Sequence, residues 1–152
     1  MTTTTRAPRF NHVAMSVPAD LLDEDGRAEL LRFYGDVFGW EELPTETLDR
    51  QRLVMRAYSN EQFVFLIAED PPMTCPRLDH FGMSVGTMEE LDDMLERAQK
   101  FRAEDDRVDI IDKHATDHDG FLVLTSFYVR YLLPMMIEVQ HYEWAPSVAP
   151  TA

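Results

Sequence analysis

Two histidines sit in copies of one short phrase. Phe10-Asn11-His12-Val13-Ala14-Met15-Ser16-Val17 returns 68 residues later as Leu78-Asp79-His80-Phe81-Gly82-Met83-Ser84-Val85, with His, Met, Ser and Val in register. Both copies alternate with the period of a half-buried strand. Val13, Met15 and Val17 share one face, as do Phe81, Met83 and Val85, while His12, Ala14 and Ser16 share the other, as do His80, Gly82 and Ser84. Each copy therefore offers one imidazole among small neighbours, opposite its aliphatic side. An imidazole so placed moves a proton near neutral pH or gives a lone pair to a metal. A third reactive group, Glu138, stands among Met135, Met136, Ile137 and Val139. Buried there it is costly unless paired, and a metal ion is one way to pair it. On a solvated edge strand it needs no such partner.

The elements that must position these groups follow from the pattern. After the first strand, Pro18–Gly26 reads as an acidic loop. Arg27–Phe38 has the apolar spacing of a helix, and Gly39 stops it. Glu41–Glu46 is a short extended segment. Arg52–Tyr58 and Gln62–Ala68 are two strands joined by a polar turn. The prolines of 71–76 break the chain into two modules. The second opens with the repeated strand. Thr87 and Glu90 then form a capping box for a helix running to about Arg102. Val108–Ile111 is read as a short strand, His114–Gly120 as a polar loop, and Phe121–Arg130 and Met135–Tyr142 as the last two strands. The sequence thus predicts an α+β fold of two tandem βαβββ modules. The domain spans 9–145, with module one at 9–70, a linker at 71–77 and module two at 78–145. Tails 1–8 and 146–152 are predicted flexible.

Length and charge bound the rest. A chain of 152 residues, 45% hydrophobic, is long enough to bury a core without staples. A net charge of −14 argues against nucleic acid and anionic membrane surfaces as partners. The lone Cys75 has no internal disulfide partner. There is no long apolar run and no leader-like segment, so a soluble cytoplasmic protein is expected.

The paired modules, each opening on a strand with a His, resemble the vicinal oxygen chelate superfamily. That group includes glyoxalase I, extradiol dioxygenases, fosfomycin-resistance enzymes and bleomycin-binding proteins. Phe33-Tyr34-Gly35-Asp36-Val37-Phe38-Gly39-Trp40 is similar to its first-helix signature, and Met136-Ile137-Glu138-Val139-Gln140 to its ligand-bearing last strand. The resemblance covers about Arg9 to Trp144. It implies a cupped, partly closed eight-stranded mixed sheet. It also implies that His12, His80 and Glu138 hold a divalent metal ion, Fe(II) first, with Mn, Zn, Ni or Co compatible. A fourth ligand from the last strand of module one, frequent in glyoxalase I, has no counterpart in Phe63-Val64-Phe65-Leu66-Ile67.

The stretch from His118 through Tyr128 to Glu138 is similar to the extradiol dioxygenase signature, although Tyr131-Leu132 stand where an acidic or amide residue and Pro are usual. The resemblance implies His118 as acid/base and Tyr128 as hydrogen-bond partner of a substrate oxygen. Gln140 and Tyr142 share the face of Glu138 and are expected to line the substrate pocket. The leading expectation is a metal-dependent oxidoreductase on a small oxygenated molecule, cleaving a catechol ring in the extradiol manner. The alternatives are an isomerase or lyase of glyoxalase or epimerase type, and a metal-free binding protein of the bleomycin-resistance kind. A homodimer is implied, with the modules paired within a chain or swapped between two.

Overall fold

The computed structural model describes residues 7–149; residues 1–6 and 150–152, parts of the two expected flexible tails, lie outside the described residues. Module one comprises β1 (His12–Val17), α1 (Glu24–Phe38), β2 (Glu41–Glu42), β3 (Arg52–Ser59) and β4 (Gln62–Ala68). Module two comprises β5 (His80–Ser84), α2 (Met88–Glu104), β6 (Asp109–His118), β7 (Leu122–Arg130) and β8 (Met136–Trp144). The expected α+β order is present. The eight strands divide into two four-stranded mixed sheets, β1-β4-β3-β2 and β5-β8-β7-β6, which are not closed into a barrel. In each sheet the opening strand pairs parallel with the last, and all other pairs are antiparallel. The opening strand therefore lies at a sheet edge, so both histidines sit on edge strands.

Three elements differ from the sequence reading, one of them Glu41–Glu46, where the strand ends at Glu42 and Pro44–Glu46, with proline at its start, turns as a 3-10 helix. Helix α1 begins at Glu24, three residues before the expected Arg27, because the Asp23 side chain accepts a hydrogen bond from the Gly26 amide at 2.9 Å. Gly26 looked like part of a loop. It lies inside the first helical turn, where a Cβ would meet the Leu21 carbonyl oxygen at 2.5 Å. The third difference is β6. The segment His114–Gly120 was expected as a loop, yet Asp109–His118 is one ten-residue strand with a register break between Ile111 and His114. It is the outer strand of its sheet, so water reaches it broadly and no apolar alternation marks it. Helix α2 carries the expected capping box: Thr87 Oγ1 accepts from the Glu90 amide at 3.1 Å, and the Glu90 carboxylate accepts from the Thr87 amide at 3.1 Å.

The modules join through their helices. Each sheet packs one face on its own helix, with Met15, Leu53, Met55 and Leu66 in module one and Phe127, Val129, Ile137 and Val139 in module two. Between the two helices lies an aromatic cluster. Phe33 meets Phe101 edge-on at 5.0 Å and Tyr131 at 4.8 Å between ring centroids. The fully buried Tyr34 hydroxyl donates to the Tyr131 carbonyl at 2.9 Å and accepts from its amide at 3.3 Å. Burial pushes the Tyr34 phenol well above its ordinary pKa, so it stays a neutral donor. Tyr131 extends the joint outwards: its hydroxyl donates to Asp105 at 2.7 Å and accepts from Arg107 at 2.9 Å, and Arg107 pairs with Glu29 on α1 at 2.8 Å.

Two expectations follow. Tyr34→Phe strands the buried backbone groups of Tyr131 and lowers stability by about 1–3 kcal/mol, read by urea unfolding with an unchanged slope. Asp105 is held well below the usual carboxylate range, first by Arg107 and then by Tyr131. Its contribution is thus present above its unfolded value of about 4 and fades as pH falls below that. In acid unfolding from about pH 5 downwards, Asp105→Asn shows a shallower loss of stability than the wild type.

Candidate metal centre

Strand alternation sets the open face of the second sheet. Gly82 lies opposite Glu138, which lies opposite Tyr128; Ser84 lies opposite Gln140, which lies opposite Ser126. His80, Gly82 and Ser84 therefore share a face with Glu138, Gln140, Tyr142, Ser126 and Tyr128, away from α2. Glu138 stands on an inner strand of that face and is only 7% exposed.

Every contact of this carboxylate is to a neutral or titratable group. Tyr128 donates its hydroxyl proton to Oε1 at 2.8 Å, and Gln140 Nε2 donates to Oε2 at 2.9 Å. His80 Nε2 lies 3.2 Å from Oε2. Burial, followed by the hydrogen bond to Glu138 and its charge, raises the Tyr128 pKa, so the phenol remains a donor at neutral pH. Tyr142 donates to Gln140 Oε1 at 2.9 Å, and the His80 ring stands edge-on to Tyr128 at 5.1 Å.

The ring nitrogens of His80 give the test of a metal. Nδ1 is 2.7 Å from the Leu78 carbonyl oxygen, an acceptor, so Nδ1 carries a hydrogen. In the neutral imidazole Nε2 then turns a lone pair on a carboxylate oxygen. Two facing lone pairs repel, and a positive charge between them, either a proton or a metal ion, removes the conflict. A histidine with its far N–H on a backbone carbonyl is also the usual preparation of a metal ligand. His80 and Glu138 fit an ion.

The structure brings the expected residues together only in part. His12 begins β1 on the first sheet, where its ring stacks on Phe63 at 4.9 Å and Nδ1 lies 2.9 Å from Asn11 Oδ1. Among the described residues, no group of three or more His, Cys, Asp or Glu side chains is gathered to hold an ion within one chain. In module one the positions matching Glu138 and Tyr128 are Phe65 and Val54, so that half has no counterpart of the Glu138 carboxylate. His118 ends β6 opposite Leu122, six residues along β7 from Tyr128 and about 20 Å away, with its ring near Phe121. His114 is nearer. It shares the Tyr128 face, opposite Ser126, and its ring is parallel to that of Tyr128 within 3° at 6.1 Å. The sequence reading placed both His114 and His118 in a polar loop and took His118 from the resemblance, since a loop gives no facing to set His114 beside Tyr128. Gln140 and Tyr142 lie on the Glu138 face, whereas His141 points to the other side, where its Nδ1 is buried without a partner.

No family model matches the sequence, and no curated protein matches it by sequence. Solved structures do match. The chain is similar to a lactoylglutathione lyase from Agrobacterium tumefaciens at 19% identity, covering 90% of this chain and 96% of that one, with a TM-score of 0.62. It is similar to the fosfomycin resistance protein FosX from Listeria monocytogenes at 13% identity, with 90% and 94% covered and a TM-score of 0.56. A glyoxalase/bleomycin resistance protein/dioxygenase from Nocardioides matches at 14% identity, with 99% and 92% covered and a TM-score of 0.57. At these identities the likeness is one of fold. The chain has the vicinal oxygen chelate fold. Among the described residues, no helix is long and apolar enough to cross a membrane.

Proposed function

We propose that this protein is a metal-dependent enzyme acting on a small oxygenated molecule, and that it works as a homodimer. His80 and Glu138 form one half of the centre, and the partner subunit's His12 completes it. The observation that carries the reading is the His80 Nε2 to Glu138 Oε2 approach at 3.2 Å with Nδ1 tied to Leu78. The dimer is supported by the sheet edges: among the described residues, β1 and β5 each have one side free of any partner strand. Beside them Phe10 and Leu78 are exposed. Laying β1 of one copy along β5 of another brings the two imidazoles onto one continuous face.

Two histidines and one carboxylate suit Fe(II), the ion we favour, and also accept Mn, Zn, Ni or Co. When bound, such an ion acidifies and polarises the oxygens of its substrate. The reaction we favour is extradiol cleavage of a catechol, in which the ring bond beside the hydroxyls breaks and both atoms of dioxygen enter the product. Tyr128, kept protonated, donates to a substrate oxygen. A catechol must lose protons to bind in this way, and His114 is the histidine close enough to accept one. The acid/base role expected of His118 passes to His114 for that reason. Gln140 and Tyr142 line the substrate side.

Mixing variants tests the centre. His12→Ala and Glu138→Ala each lose stoichiometric metal alone. A dimer formed from one of each recovers one intact centre, about half the wild-type metal content. No recovery on mixing, with both variants folded, rules out a centre shared between copies. For the reaction, His114→Phe lowers oxygen uptake with catechol by about 10²–10⁴-fold with metal retained, and His118→Phe lowers it by less than about tenfold. Turnover of a hemithioacetal or an epimerisable thioester, with no oxygen uptake, assigns the isomerase or lyase chemistry instead.

A further inference from the structure

Gly82 has no backbone reason to be glycine. It is not among the residues in the left-handed region, and a glycine inside a strand weakens it. The matching residue of the first copy is Ala14, so this strand position accepts a methyl group. What Gly82 provides is space. A Cβ there would come within 3.0 Å of Gln140 Oε1 and 3.7 Å of its Cδ. The Gln140 amide rests where the missing side chain would be.

Seated there, the amide has one permitted sense. Oε1 can only accept, and Tyr142 donates to it at 2.9 Å; Nε2 can only donate, and it does so to Glu138 Oε2 at 2.9 Å. Flipping the amide would set two oxygens against each other at Glu138, whose carboxylate can only accept; Tyr142 braces the sense that Glu138 selects. With Tyr128 on Oε1, the carboxylate is clamped at both oxygens, and the free side of Oε2 is turned towards His80 Nε2.

We infer that Gln140, seated on Gly82 and braced by Tyr142, is the positioning residue that aims the Glu138 carboxylate at the metal. This inference rests on the metal reading above. Gln140 does not touch the ion. It acts by fixing a ligand before the ion arrives, the role that outer hydrogen-bond partners play around metal sites.

The test is Mn(II) affinity of the full-length protein, read by electron paramagnetic resonance of the free ion, with a thermal melt of each variant as the folding control. Gln140→Leu weakens Mn(II) binding by about 10–100-fold at an unchanged melting temperature. Tyr142→Phe gives a smaller loss, because it removes one brace of the amide and leaves its bond to Glu138 in place. Gly82→Ala weakens binding in the wild-type background, where its methyl displaces the amide, and has no effect in Gln140→Ala, where nothing occupies the seat. That non-additivity is the signature of the proposed contact. Equal effects of Gly82→Ala in both backgrounds overturn the inference. So does Mn(II) binding that is lost in Glu138→Ala and unchanged in Gln140→Leu, an outcome that leaves the metal reading standing. A wild-type protein that binds no divalent ion ends both.

Discussion

The two sheets are held apart by the way the modules join. Phe33, Tyr34, Phe101 and Tyr131 pack between α1 and α2, and Tyr34 closes on the backbone of Tyr131 with two buried hydrogen bonds. With the helices occupying the middle, each sheet can cover only one face. The other face, and the strand edge carrying the histidine, remain open. A joint through the helices leaves His12 on one sheet and His80 with Glu138 on the other.

The electrostatics around Glu138 follow from that opening. A carboxylate that is 7% exposed has lost most of its water, which costs several kcal/mol unless charge or hydrogen bonds replace it. Tyr128 and Gln140 supply two neutral donors, enough to hold Glu138 in place without cancelling its charge. His80 turns its second nitrogen on the same carboxylate.

Much of this was legible in the sequence. The repeat of His12 and His80 is a strand signal with a period of two, and the equivalent parallel pairings of β1–β4 and β5–β8 carry that symmetry into the fold. The capping box at Thr87 was likewise local and readable. What was not legible depended on contacts distant in sequence. Gly26 mimics a loop residue because its need is space beside Leu21. Strand β6 is polar because it is an edge, which removed the alternation that would have put His114 and Tyr128 on one face. That His12 stays apart from His80 is a matter of how helices pack, and no strand pattern encodes it. The change from Ala14 to Gly82 was visible, but its reason required the position of Gln140.

Phe65 and Val54, standing where module two has Glu138 and Tyr128, make the two halves of the repeat unlike in polarity. Around His12 the same face of module one sets Phe63, Phe65 and Ile67 across from Arg56, Val54 and Arg52. Around His80 the corresponding wall is charged and hydroxylated. Brought face to face, a wall with two guanidiniums and a wall with a carboxylate would sort a guest by its own asymmetry. A flat molecule with anionic oxygens along one edge would lie in one orientation, because its reversed pose sets those oxygens against Glu138. Orientation would then be enforced before any bond is made.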